Sequence, residues 1–192
     1  MRLILASQSP RRRELLSSLG YEYEVCPADI DETIPEGTEA KYVPEILSRE
    51  KALAVLKENP DAVVVGSDTV VICEGHILGK PQSKEEAKAM LTLLSGRKHV
   101  VATGLCVCSK EMTRSLVNVT EVYFHELSEA LIESYVATGE PMDKAGAYGI
   151  QGYGSVLVRK IDGDYFSVMG LPLSQTARLL SQFGINGKIL DF

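Results

Sequence analysis

The chain is 192 residues long, 45% hydrophobic and 24% charged, with 16 glycines and 8 prolines, a composition that excludes collagen-like, low-complexity and disordered proteins. Twenty Lys and Arg against 26 Asp and Glu leave a net charge of -6, which argues against a nucleic-acid polymer as partner and means that an anionic ligand needs a local basic pocket. The length supports one domain over residues 1–192, with a core that requires no disulfide or structural metal.

Arg2 to Ala6 reads as a short buried strand, and Ser9-Pro10 as the N-cap and first position of a helix that stops at Gly20. The acidic stretch Ala28 to Glu39 reads as a loop, and helical periodicity resumes from Val43 to Leu56, with Arg49, Glu50 and Lys51 near the edge of its apolar stripe. AVVVG is a β-branched run suited to burial on both faces, and TVVIC resumes it after the polar pair Ser67-Asp68. Ser83 to Glu86 has capping-box spacing and opens a helix that Gly96 ends. Strands around Val100 to Cys108 and Leu116 to Phe124 follow, the second alternating apolar and polar, so the sheet is expected to be partly antiparallel.

A helix from Glu129 to Thr138 leads into the glycine-dense loop MDKAGAYGIQGYG, and long irregular loops in compact domains are usually functional. Strands near Val156 to Ile161 and Tyr165 to Met169, a turn at Asp162-Gly163 and a last helix from Leu173 to Phe183 complete the pattern. It predicts an α/β fold with a mixed, twisted sheet flanked by helices, in two lobes around a cleft. Four cysteines, Cys26, Cys73, Cys106 and Cys108, form no CxxC pair and fit a reduced intracellular compartment. Cys106 and Cys108 are expected to pack as small hydrophobes. The N-terminus lacks the pattern of a signal peptide, and no apolar run reaches the length of a membrane span.

Arg11, Arg12 and Arg13 sit in the first turn of a helix, where the macrodipole disfavours cations. A phosphate group would offset them, using free N–H groups, bidentate Arg forks and the hydroxyls of Ser7 and Ser9; a solvated basic turn balanced by Glu14 is the alternative. Asp68 lies inside an apolar strand, where an unpaired carboxylate is costly. It could hold a divalent cation, act as general base on water, or form an Asx turn or ion pair at a strand end. Glu32, beside Asp29 and Asp31, could add oxygen ligands, although alone it reads as part of an acidic surface loop. Lys51 and Lys80 are single lysines, the second aimed by the turn Gly79-Lys80-Pro81. Gln151 offers a donor and an acceptor in a loop that lets backbone approach a ligand.

The segments SQSPRRRELL, SREKA, VVGSDTVV, LGKP, LSGRKH and EPMDKAGAYGIQG occur in this order along almost the whole chain and closely resemble the Maf family. The resemblance implies a cytoplasmic nucleoside triphosphate pyrophosphatase that cleaves between the α and β phosphates with a divalent cation, magnesium or manganese. It carries the general base to Asp68, the metal to Glu32 and Asp68, and substrate binding to Ser7, Arg11, Arg12, Lys51 and Lys80. Arg12, Thr69 and Gln151 match the branch that prefers dTTP and UTP. The physiological substrate could equally be a modified pyrimidine nucleotide, and a homodimer is left open. A regulator of cell division that binds nucleotide as a switch is the rival from another class, since the family's name derives from septum formation.

Overall fold

The computed structural model describes residues 1–188, so the last four residues of the expected domain lie outside the described ones. After β1 (Arg2–Leu5), the Ser9 side chain accepts a hydrogen bond from Arg12 N, Pro10 occupies the first turn, and α1 (Pro10–Ser18) begins. β2 (Glu24–Val25) precedes the acidic loop, which delivers the chain to α2 (Val43–Glu58) and then to β3 (Ala62–Cys73) and β4 (His76–Leu78). α3 (Lys84–Leu94) is capped by Ser83, whose Oγ accepts from Glu86 N at 3.1 Å. The Glu86 carboxylate reaches one residue further back than a capping box requires, to Gln82 N at 2.6 Å.

β5 (Lys98–Cys108), β6 (Thr113–Phe124), α4 (Glu129–Ala137), β7 (Val158–Asp162), α5 (Tyr165–Met169) and α6 (Leu173–Gln182) follow. The sheet order is β2-β1-β3-β5-β6-β7, with β4 on β3. β1 is parallel to β2 and β3, and the remaining pairs are antiparallel, so the expected mixed sheet is present. β3 runs through Ser67 and Asp68 without a break, Asp68 pairing with Gly104.

Two expectations need correction. Tyr165 to Met169 is a helix, because the Asp164 carboxylate accepts from Phe166 N at 3.1 Å and Ser167 N at 3.2 Å, and Gly170 ends the turn at φ +114°. That local cap outweighs the strand preference of Tyr, Phe and Val. The last strand begins at Val158 rather than near Val156, since 152–157 coil into a 3₁₀ turn.

One face of the sheet carries two apolar clusters. Val63, Val65, Leu105 and Val107 pack with Leu15 and Leu16 of α1, Met169 of α5 and Leu180 of α6, while Val71, Val101 and Val122 pack with Leu91 of α3 and Ile132 and Val136 of α4. Both clusters rest on one continuous sheet, with β3 and β5 running through each. On the opposite face, Ala52 and Val55 of α2 meet Ile4, Val64, Cys106 and Cys108, so the two cysteines do pack as hydrophobes.

α2 lies directly on strand backbone. A Cβ on Gly66 would come 2.2 Å from Ser48 O, and one on Gly104 would come 1.9 Å from Pro44 O. Gly104→Ala is therefore expected to lower the free energy of unfolding by about 3 kcal/mol, since backbone atoms must give way. Gly79→Ala, with open space around it, should change stability by less than about 1 kcal/mol. Urea denaturation midpoints of the two variants check this.

Candidate active site

β1 stops pairing with β3 at Val65, and β4 starts at Val71. Between them one edge of β3 has neither neighbour, so residues pointing to opposite faces of the strand border a common space. Ser67 Oγ lies 2.9 Å from Gly170 O after α5, Thr69 meets Arg12 of α1, and Asp68 meets Lys51 of α2 on the other face. The space is a cavity of about 460 Å³. Its wall includes Ser7, Ser9, Arg11 and Arg12 at the start of α1, Glu32, Lys51, Thr69, Lys80, and Asp143, Lys144, Tyr148 and Gly149 of the glycine-rich segment. Five cations thus face two carboxylates on an otherwise acidic protein. The start of α1 adds the positive end of its dipole, while its Ser9, Arg12 and Arg13 N–H groups are already taken by Ser7 Oγ, Ser9 Oγ and Ser9 O.

Arg12 is held rigidly. Nε donates to Gly170 O at 2.8 Å, Nη1 to Ser7 Oγ at 3.3 Å and Nη2 to Thr69 Oγ1 at 3.1 Å. Thr103 Oγ1 donates to Ser167 O at 2.7 Å, so the 3.0 Å contact between Thr69 and Thr103 is donated by Thr69. The hydroxyls therefore form a one-way chain that starts at the guanidinium. Burial lowers the Arg12 pKa from its ordinary value, and Asp68 and Glu32 oppose that shift; the side chain stays charged.

Lys51 Nζ sits between two carboxylates, 2.6 Å from Asp68 Oδ1 and 2.7 Å from Glu32 Oε1. Lys51 and Asp68 are 16% and 14% exposed and Glu32 56%, so the pair with Asp68 is the sheltered one. Asp68 is thus ion-paired in mid-strand, not in an Asx turn at a strand end, and Lys51 stands between it and the cavity.

The glycine-rich segment is organised by Glu140 and Tyr135. Glu140 Oε2 accepts from Tyr153 N at 2.9 Å, Oε1 from Gly154 N and Tyr135 OH at 3.0 Å each, and Tyr135 OH accepts from Gly149 N at 3.1 Å. Gly146 N donates to Gly79 O at 3.0 Å, which ties the segment to the Lys80 turn. Behind the wall, Tyr148 OH lies 2.8 Å from His99 Nε2, and both rings stand edge-on to Phe124.

Ser7, Arg11, Arg12, Glu32, Lys51, Thr69 and Lys80 all reach the cavity wall. Asp68 lies one contact behind it, while Gln151 is off the wall, which its neighbours Gly149 and Ile150 occupy. Lys144 and Tyr148 were not singled out from the sequence; a lysine and a tyrosine within a glycine-dense run were the available signal. The Gly170 carbonyl, which receives both Arg12 and Ser67, leaves no trace in side-chain chemistry.

Fold and cavity define a mixed α/β protein with a carboxylate-bearing anion pocket at a strand end and a helix start. A family model described as Maf-like protein matches residues 2–183, and the chain belongs to the Maf family. It is 50% identical over 184 residues to a dTTP/UTP pyrophosphatase of Bacillus velezensis, covering 96% of this chain and 97% of that one. It is 49% identical over 185 residues to a protein of the same name from Bacillus anthracis, again covering 96% and 97%. Among solved structures, the Staphylococcus aureus Ham1 protein matches at 14% identity and a TM-score of 0.44, over 65% of this chain and 72% of that one, which is too loose to bear on function.

Burial holds the His99 pKa at about 4, below the ordinary 6.5. Between these values the unfolded chain binds a proton that the folded chain does not, so the stability present above pH 6.5 is lost as pH falls towards 4. The loss should reach about 3 kcal/mol. Melting curves across this window should fall more steeply for the natural chain than for His99→Gln.

Proposed function

We propose that the chain is a nucleoside triphosphate pyrophosphatase, acting on dTTP and UTP and accepting modified pyrimidine nucleotides, in a cytoplasmic housecleaning role and as one domain. The observation that carries this reading is the cavity whose wall brings Arg11, Arg12, Lys80 and Lys144 together with Lys51, which holds the carboxylates of Glu32 and Asp68. Relatives half identical to the chain and named dTTP/UTP pyrophosphatase supply the substrate class. Among the described residues, no helix is long and apolar enough to cross a membrane.

Glu32 and Asp68 suit a divalent cation, magnesium or manganese, because their oxygens already close on a single cation, Lys51 Nζ. Among the described residues no group of three or more His, Cys, Asp and Glu is arranged for a metal. Hard ions of this kind often take one or two carboxylates and complete their shell with phosphate oxygens and water. When bound, the ion supplies charge neutralisation at the phosphoryl oxygens.

The protein's own groups do the rest. Ser7, Arg11, Arg12 and Lys80 receive the phosphates, with the positive end of the α1 dipole behind them. Lys51 gives up its carboxylates for phosphate oxygens, which opens Asp68 to the cavity. Asp68 then takes a proton from the water that attacks the α phosphorus. Thr69 acts on selectivity through Arg12, which it orients. Gln151 lies just beyond the wall formed by Gly149 and Ile150, so a base that extends past them would meet an amide with both an acceptor and a donor for the pyrimidine's carbonyl and N–H edge.

Product analysis with a panel of nucleoside triphosphates and magnesium or manganese tests the reading. Pyrophosphate should be released from dTTP and UTP, and Asp68→Asn should slow turnover by at least about 100-fold while keeping its fold. Orthophosphate alone, or stoichiometric binding without turnover, would move the weight to a nucleotide-binding regulator.

A further inference from the structure

Lys144 is the one cavity cation that the mechanism above does not use. Its Nζ donates to Glu140 O at 2.5 Å and to Asp143 Oδ1 at 2.6 Å. The lysine side chain is 7% exposed and the aspartate 77%, so the ammonium is set into the wall while its counter-ion stands in solvent. An ion pair with so exposed a partner is weak and readily exchanged. An ammonium has three donors, and the remaining Lys144 N–H has no protein acceptor among the described residues.

Gly149 shows what lies next to it. A Cβ there would come 2.9 Å from Lys144 Cε and 3.4 Å from Arg11 Nη2, so the two cations flank one glycine that has no side chain to separate them. Arg12 and Lys51 are held by strong partners of their own, whereas Arg11 shares with Lys144 the attraction of the exposed Asp143 carboxylate. A bidentate fork beside an ammonium suits an anion with oxygens on more than one phosphorus.

We propose that Lys144 and Arg11 form the subsite for the leaving group, inorganic pyrophosphate, and that Lys144 exchanges Asp143 for its oxygens. The inference rests on the pyrophosphatase reading. In that reaction the water oxygen bonds to the α phosphorus, its proton passes to Asp68, and the bond from the α phosphorus to the bridging oxygen breaks. The electron pair stays on the departing pyrophosphate, and Lys144 and Arg11 neutralise the charge that develops there.

Titration calorimetry of the full chain with inorganic pyrophosphate and, separately, dTMP, both in magnesium buffer, tests the subsite without turnover. Lys144→Met should weaken pyrophosphate binding at least tenfold and change dTMP binding less than twofold. Asp143→Asn, which keeps the lysine and removes its competing anion, should bind pyrophosphate at least as tightly as the natural chain. Three results would overturn the proposal: no pyrophosphate binding by the natural chain, unchanged pyrophosphate binding in Lys144→Met, or equal weakening for both ligands. If Lys144→Met does not fold, Asp143→Asn decides, and weakened pyrophosphate binding there would show that the pair is only a brace. Pyrophosphate binding that follows these expectations in a chain that does not turn over dTTP would defeat the function and leave the subsite standing.

Discussion

The site depends on how closely α2 can approach the sheet. Gly66 and Gly104 present bare backbone on the same face of β3 and β5, and Ser48 O and Pro44 O occupy the room their side chains would have taken. Asp68 is paired across the ladder with Gly104, so the gap that admits α2 also brings Lys51 within 2.6 Å of Asp68. A larger residue at either glycine would lift the helix and leave a sheltered carboxylate without its partner, an expensive arrangement in a poorly hydrated place.

A second constraint is the uncovered stretch of β3 between Val65 and Val71. Within a fully paired sheet Asp68 and Thr69 would face separate layers. Here, with one edge free, the carboxylate on one face and the Arg12 to Thr69 to Thr103 chain on the other serve one cavity. The polar run Ser67, Thr69 and Thr103 also separates the two apolar clusters, so the cleft falls where the core is interrupted. Cations on its wall differ in their freedom. Arg12 is locked by two side chains and a carbonyl, while Lys51 and Lys144 each hold carboxylates that a phosphate can replace.

Local rules read most of the elements correctly. Ser9-Pro10 and Ser83 start helices because their caps act within one turn, and β6 alternates because its end lies half-buried. The same rules failed at Tyr165 to Met169, where one cap at Asp164 reversed the preference of a short segment. Seven of the nine candidate site residues reached the cavity wall, whereas Asp68 stands one contact behind it and Gln151 is off it. Its neighbours in a glycine-dense loop are fixed by Glu140 and Tyr135, contacts that no spacing rule foresees.

Composition, periodicity and caps thus suffice for the fold class, most of the elements and the segments that carry chemistry, because each of these is set by interactions within a turn or along one strand. Folding alone decides that Asp68 is ion-paired to Lys51, that Thr69 orients Arg12, and that Lys144 joins Arg11 across Gly149. These contacts link residues up to 138 positions apart in the numbering, and their geometry follows from glycine-spaced packing and an unpaired strand edge, neither of which is encoded in any one local stretch of chain.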